Sequence, residues 1–180
     1  MNSALGFEQI SIIDRETPLS LELFQCIQTT FPLLRSITID YLRFDTHMRN
    51  DTALVLKTVQ KLSLIETSGH DSGSHLSTIK YSNFKRLLLL TPNLRQLNLY
   101  YSILTKMYDN LKNDSELELK KNCRQIEILK IYSYSNEKIS TAEYQQKLKT
   151  FLFPNVKKVE FSKNLGQYTG LDDSSRYFLN

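Results

Sequence analysis

The stretch TPNLRQLNL, residues 91–99, has apolar side chains at Leu94, Leu97 and Leu99. Its last apolar residues alternate with polar ones, which is the period of a β-strand that is buried on one face. Pro92 stands near the start of the stretch, two residues before Leu94, where a proline ends a preceding helix and biases its neighbour towards extended backbone. This segment therefore predicts the end of a helix followed by a short strand with one buried face.

The same order of residues, apolar-x-x-apolar-x-apolar, occurs six times along the 180-residue chain. Proline precedes three of the copies at the same offset, as Pro32, Pro92 and Pro154. A recurring strand pattern is typical of repeats that each bury one face against their neighbours. The predicted strands lie near residues 7–12, 34–39, 59–64, 94–99, 126–131 and 156–161.

The segments between the predicted strands have the features of helices. Phe24, Cys26 and Ile27 fall close to helical spacing and predict an apolar stripe, and Ser82 is a candidate N-cap. Alternating strands and helices predict an α/β fold with a parallel sheet. We expect residues 1–180 to form one domain, a horseshoe-shaped solenoid with strands on its concave side and helices on its convex side. The predicted helices cover residues 19–29, 51–58, 82–90, 102–121 and 141–151.

Composition and charge exclude several classes of protein. The 23 Lys and Arg residues against 19 Asp and Glu give a formal charge of +4, and they are scattered, so nucleic-acid binding is not predicted. No apolar run approaches the roughly 18 residues of a membrane helix, and the N-terminus lacks the features of a secretory signal. The two cysteines, Cys26 and Cys123, form no disulfide framework or metal motif. We therefore expect a cytoplasmic or nuclear protein without membrane contact.

One segment contains the residue types of a metal site or of a Ser/His/Asp site. His70 and His75 flank Asp71 and two serines. The segment is rich in Ser and Gly, whereas catalytic groups must be held rigidly, so we interpret it as a surface loop. We predict no enzyme activity, no metal and no cofactor. An enzyme that uses His70 is a third hypothesis, after the two given below.

A second charged segment, residues 112–124, mixes basic and acidic side chains. Its basic residues are Lys112, Lys120, Lys121 and Arg124, and its acidic residues are Asp114, Glu116 and Glu118. We interpret it as the solvated face of a helix.

The segments 31–39, 91–99, 123–131 and 153–161 resemble the leucine-rich repeats of F-box-type and ribonuclease-inhibitor-like proteins. Strands of the F-box type begin with Cys-Pro-x-Leu and continue x-x-Leu-x-Leu. The similarity covers roughly residues 7–165 at the level of single repeats. It implies a protein partner and, where an F-box is present in the parent protein, substrate recognition for an SCF-type ubiquitin ligase. Capping segments are missing from the pattern, so we expect a fragment of a longer array.

In such a fold the strand residues beside the last two apolar positions line the concave face. The later strands place aromatic, aliphatic and basic side chains there, a mixture that anchors protein partners. The alternative is a degenerate or purely structural repeat fragment without a specific partner. The predicted partner-binding residues are Lys61, Ile65, Gln96, Asn98, Tyr100, Ile128, Lys130, Tyr132, Lys158 and Glu160.

Overall fold

A computed structural model of the chain describes residues 6–12, 20–40, 54–65, 80–134 and 152–164. These segments contain six strands and four helices, so the predicted α/β class is confirmed. The strands are β1 (Gln9–Ile12), β2 (Ser36–Asp40), β3 (Lys61–Ile65), β4 (Gln96–Tyr100), β5 (Ile128–Tyr134) and β6 (Lys158–Asn164). The helices are α1 (Leu21–Thr30), α2 (Tyr81–Leu90), α3 (Tyr101–Asn113) and α4 (Leu117–Arg124).

The six strands form one parallel sheet whose spatial order, β1 to β6, is the order of the sequence. Each of the four inner strands therefore pairs with the strand that precedes it and the strand that follows it in the sequence, whereas β1 pairs with β2 and β6 with β5. The register aligns equivalent positions of the sequence pattern, so that Leu62 lies beside Leu97 and Leu97 beside Leu129. The prediction of a parallel sheet built from the recurring pattern is confirmed.

Each strand begins two residues later than the pattern predicts. The first apolar residue closes a turn instead, and the N–H of Leu94, for example, donates to the carbonyl oxygen of Thr91 at 3.1 Å. Leu94 is nevertheless buried, with 1% of its surface exposed. In the five repeats from β2 to β6, the first apolar residue therefore contributes to the core but does not pair in the sheet.

The backbone just after this turn makes the same hydrogen bonds between successive strands. The carbonyl oxygen of Arg35 accepts from the N–H groups of Gln60 and Lys61 at 2.8 and 2.9 Å. The carbonyl oxygen of Gln60 accepts in the same way from Arg95 and Gln96. Equivalent pairs of bonds join all five neighbouring strand pairs, at carbonyl oxygens of Glu8, Arg35, Gln60, Arg95 and Glu127. The recurring sequence pattern thus corresponds to a recurring pair of backbone hydrogen bonds between neighbouring strands.

The core lies on one face of the sheet, under two rows of apolar side chains. We call these the core rows. One row is Ile10, Ile37, Leu62, Leu97, Leu129 and Val159, and the other is Ile12, Ile39, Leu64, Leu99, Ile131 and Phe161. Residues of β2 to β5 in these rows are at most 1% exposed, and they share one hydrophobic cluster with helix residues such as Phe24, Phe84 and Leu104.

Helix α1 follows the predicted pattern with one correction. It begins after Ser20, whose Oγ accepts a hydrogen bond from the Leu23 N–H at 3.3 Å. Phe24 and Ile27 are buried as expected, but Cys26 is exposed. Two residues along an α-helix correspond to about 200° of rotation, so Cys26 faces away from Phe24.

Three further helix predictions need correction. Helix α2 begins at Tyr81, with Lys80 at its N-cap, so Ser82 lies within the helix and does not cap it. The single helix predicted over 102–121 is two helices, separated by an extended backbone at Asp114. The part of the 51–58 prediction that the structure describes, residues 54–58, is not helical. The helix predicted over residues 141–151 lies outside the described segments.

The segment 54–58 is irregular because its backbone pairs with a distant segment. The N–H of Leu56 donates to the carbonyl oxygen of Leu90 at 2.7 Å. Leu54 and Leu56 are buried, whereas Val55 between them is partly exposed. This alternation is that of an extended chain, and its apolar residues mimicked a helix in the sequence.

Candidate functional site

The second face of the sheet bears the strand residues that alternate with the core rows. We call it the polar face. Its central row runs in register through Ser11, Thr38, Ser63, Asn98, Lys130 and Glu160. All ten residues predicted to bind a partner lie on β3 to β6 at positions of this face.

The polar face is not uniformly accessible. Asn98 and Tyr100 are each only 3% exposed, and Ser63 is 5% exposed. Asn98 and Tyr100 therefore expose little surface on this face, and partner binding by the ten residues stays a prediction. Alternation along a strand predicts the face on which a side chain lies, but its exposure depends on the side chains packed around it. Of the remaining predicted residues, Lys158 is exposed and Lys61, Ile65, Gln96, Ile128, Lys130, Tyr132 and Glu160 are partly exposed.

Asn98 has a structural role on this face. Its Nδ2 donates to Ser63 Oγ at 2.9 Å, and its Oδ1 accepts from Gln96 Nε2 at 3.0 Å. A buried amide that uses both its donor and its acceptor is stabilised by these bonds, and its side chain is held in one orientation. Ser63, Gln96 and Asn98 thus form a hydrogen-bonded group that joins β3 to β4.

A cluster of aromatic and basic side chains lies beside this hydrogen-bonded group, on β4 and β5. The rings of Tyr100 and Tyr132 pack at a tilt of 43°, with their centroids 5.6 Å apart. Lys130 Nζ lies 5.1 Å from the centroid of the Tyr132 ring, within the range of a cation–π interaction. Tyr132 thus contacts a buried ring and a cation, and part of its surface stays accessible.

The neighbouring strand extends this accessible region. In register, Ile128 lies beside Lys158, and Lys130 lies beside Glu160. Lys158 and Glu160 form an ion pair, with side chains 47% and 35% exposed. We call Ile128, Lys130, Tyr132, Lys158 and Glu160 the Tyr132 patch; it combines an aromatic ring, an aliphatic side chain and charges of both signs.

A second polar cluster, which the sequence did not predict, joins α2 to the loop between α3 and α4. The Tyr81 hydroxyl and Lys85 Nζ both donate to Asp114 Oδ2, at 2.6 and 2.8 Å. Lys85 Nζ also lies 2.6 Å from Glu116 Oε2, and the Glu116 N–H donates to Asp114 Oδ1 at 2.9 Å. Asp114 and Glu116 are therefore loop residues that bind α2, so their interpretation as a solvated helix face was wrong.

The electrostatics of this cluster indicate a structural clamp. Burial alone would raise the pKa of Asp114, but hydrogen bonds from Lys85 and Tyr81 outweigh it and lower the pKa to about 2. The hydrogen bond to Asp114 raises the pKa of Lys85, and burial, together with the bond to Asp114, raises the pKa of Tyr81. A general base at neutral pH needs a pKa near that pH. None of the three pKa values moves towards neutrality, so the cluster is not poised for proton transfer.

The structure also bears on nucleophilic and metal chemistry. Cys123 is buried, and burial raises the pKa of its thiol to about 12, which opposes formation of the reactive thiolate. Across the described segments, no three or more His, Cys, Asp or Glu side chains form a group that could hold a metal ion. The hypothesis of a site at His70 and His75 falls on residues outside those segments.

No helix in the part of the chain that the structure describes is long and apolar enough to cross a bilayer.

Comparison of the chain with family models, with curated proteins and with solved structures gives no significant match. The resemblance to leucine-rich repeats therefore depends on the recurring pattern in this sequence.

Proposed function

We propose that the chain is a leucine-rich-repeat solenoid that binds a protein partner through the Tyr132 patch and catalyses no reaction. The solenoid is supported by the sequential order of the parallel strands and by the identical backbone bonds at each step of the sheet. In a repeat array each unit contacts chiefly its neighbours, and the exposed strand residues form a continuous binding surface.

The observation that carries the binding proposal is the packing of Tyr132. Tyrosine side chains that are held rigidly lose little conformational entropy on binding, and Tyr and Arg are enriched among residues that dominate binding energy. The ring of Tyr132 packs against the buried ring of Tyr100, and Lys130 Nζ lies over the Tyr132 ring. The accessible part of this ring, with Ile128 beside Lys158, suits a protein segment that combines apolar and acidic side chains.

A more specific proposal follows from the resemblance to F-box-type repeats. If the parent protein contains an F-box, the Tyr132 patch would select substrates for an SCF-type ubiquitin ligase in the cytoplasm or nucleus. Ubiquitin-ligase components would then be further partners. Nucleic acid and membranes are not proposed as partners, because the basic residues are scattered and no apolar run is long enough to span a membrane.

The test compares partner capture by the wild-type chain with capture by Tyr132→Ala and Lys130→Ala variants, followed by affinity measurement with the purified partner. We expect a loss of affinity of about tenfold or more for Tyr132→Ala, as for a residue that dominates an interface. Tyr108→Ala is the matched control, because Tyr108 is also a partly buried tyrosine but lies on α3 rather than on the sheet. Partners that bind wild type and Tyr132→Ala equally would refute the proposed patch.

The burial of Asn98 and Tyr100 favours a second candidate function. It reduces the accessible area of the polar face at β4, and a specific interface needs about 800 Å² on each partner. The chain would then be a structural repeat segment without a partner of its own. In that case, every protein that the wild-type chain captures would also be captured by Tyr132→Ala, or no protein would be captured at all.

A further inference from the structure

The two edges of the sheet differ from its interior in how the core rows are covered. Within the described segments β1 and β6 are the edge strands, and their core-row residues, Ile10 and Ile12 on β1 and Val159 and Phe161 on β6, are only partly buried. Residues of the same rows on the inner strands are at most 1% exposed. The core is therefore closed in the middle of the sheet and accessible at both edges.

The β1 edge carries additional apolar surface. Phe7 is 55% exposed, although it occupies the first apolar position of the pattern, which is buried in every other repeat. Its ring contacts Phe31 edge-on, with the centroids 6.3 Å apart, and Leu33 is 58% exposed. Exposed apolar groups near a sheet edge mark surfaces that associate with another protein or another strand.

The charges next to these edges are complementary. The position after the first apolar residue carries ion pairs between neighbouring repeats: Arg35 with Glu8, and Glu127 with both Arg95 and Lys157. The β1 end of this series is acidic, at Glu8, and the β6 end is basic, at Lys157. A sheet continued from β6 into a second β1 would place these opposite charges side by side.

We propose that the chain associates head to tail, with β6 of one copy pairing in parallel with β1 of a second copy. This interface uses the backbone edge of β6 and its core-row residues, Val159 and Phe161, whereas the Tyr132 patch includes only Lys158 and Glu160 of that strand, on the polar face. Continuing the register places Val159 beside Ile10 and Phe161 beside Ile12 of the second copy, which covers both core rows. The carbonyl oxygen of Lys157 would accept from the N–H groups of Glu8 and its neighbour, as the carbonyl of Arg35 does within the chain.

Such an interface joins two different surfaces, so each added copy presents a new free edge and the assembly can grow. The sedimentation-equilibrium mass of the full chain should therefore rise above that of the 21.0 kDa monomer as concentration increases. A lysine in a core row would bring a charge into the apolar part of the interface and so oppose strand pairing. We use Ile12→Lys to block β1 and Phe161→Lys to block β6.

Each blocked variant alone should remain monomeric, whereas a mixture of the two should form a dimer that does not grow, because only one β6 and one β1 remain available. A mixture that stays monomeric at concentrations where wild type associates would overturn the proposal. So would dimers formed by either blocked variant alone, which would indicate a symmetric interface between identical edges. Wild type that stays monomeric at all concentrations would overturn it as well.

Charge reversal provides a second test that leaves the core rows unchanged, and it decides the matter if a blocked variant does not fold. Glu8→Lys and Lys157→Glu should each weaken association about twofold to fivefold, the range for exposed ion pairs. In a mixture of the two variants, the lysine at position 8 of one copy can pair with the glutamate at position 157 of the other, so association should recover. Association that is unchanged by either reversal contradicts the proposed alignment.

Discussion

Asn93 Nδ2 donates a 2.7 Å hydrogen bond to the carbonyl oxygen of Lys57, in the turn before the preceding strand. Asn155 makes the same bond, at 2.8 Å, to the carbonyl oxygen of Arg124. Both asparagines follow the proline of a Pro-Asn pair, and each bonds to the residue that occupies the proline's position in the preceding turn. The Pro-Asn pair therefore ends one segment and also attaches its turn to the turn beside it.

Asn93→Ala should lower the free energy of unfolding by about 0.5–1.5 kcal/mol, the usual net value of one hydrogen bond. Urea denaturation of the variant and the wild type measures this difference. Thr58→Ala, at the same position of the turn before β3 and also exposed, is the control and should change stability by less than about 0.5 kcal/mol. Equal losses in the two variants would contradict a specific role for the asparagine bond.

Asp114→Asn should remove a pH-dependent part of the stability. The pKa of Asp114 is lowered in the folded chain from 3.8 to about 2, so the folded state favours the ionised carboxylate. That contribution is complete above pH 3.8 and is lost as the pH falls towards 2, and it amounts to about 2 kcal/mol. Unfolding free energies measured between these pH values should fall more steeply for wild type than for Asp114→Asn. Asp109→Asn, at an exposed aspartate of α3, should follow the wild-type curve, and identical slopes in all three proteins would exclude the clamp.

Tyr100 and Tyr132 contact each other but should respond differently to truncation. Tyr100 is 3% exposed and belongs to the core cluster, so Tyr100→Ala should cost about 3–5 kcal/mol, as for other large aromatic residues removed from a core. Tyr132 keeps part of its surface accessible, and Tyr132→Ala should cost about half as much or less. Urea denaturation measures the loss of unfolding free energy in each variant. Equal losses in Tyr100→Ala and Tyr132→Ala would show that Tyr132 belongs to the core and not to a binding surface.

The two cysteines should differ sharply in reactivity. Cys26 is exposed on α1, whereas Cys123 is buried and the pKa of its thiol is raised to about 12. A disulfide reagent that reports free thiols should titrate one cysteine rapidly in the native chain and both after denaturation. Cys26→Ser should abolish the rapid reaction. A rapid reaction that persists in this variant would show that Cys123 is accessible.

Strand order, register and the residues of the core rows could be predicted because one local pattern recurs six times, although the spacing between its copies varies. The starts of the strands could not, because the first apolar residue, such as Leu94, is buried by closing a turn rather than by pairing in the sheet. The helix predicted near residue 54 failed for a related reason. Burial of Leu54 and Leu56 and the bond from Leu56 to Leu90 depend on a segment more than thirty residues away.

By itself, the sequence determined the alternation of apolar and polar residues, and through it the side of the sheet on which each strand residue lies. It placed Asn98, Tyr100, Lys130 and Tyr132 together on one face, because period-two alternation is a local property of the backbone. Only the tertiary structure decided which of them are accessible, and it alone brought Lys85 to Asp114. Burial and ion pairing depend on side chains from distant segments meeting in space, and no local pattern specifies those encounters.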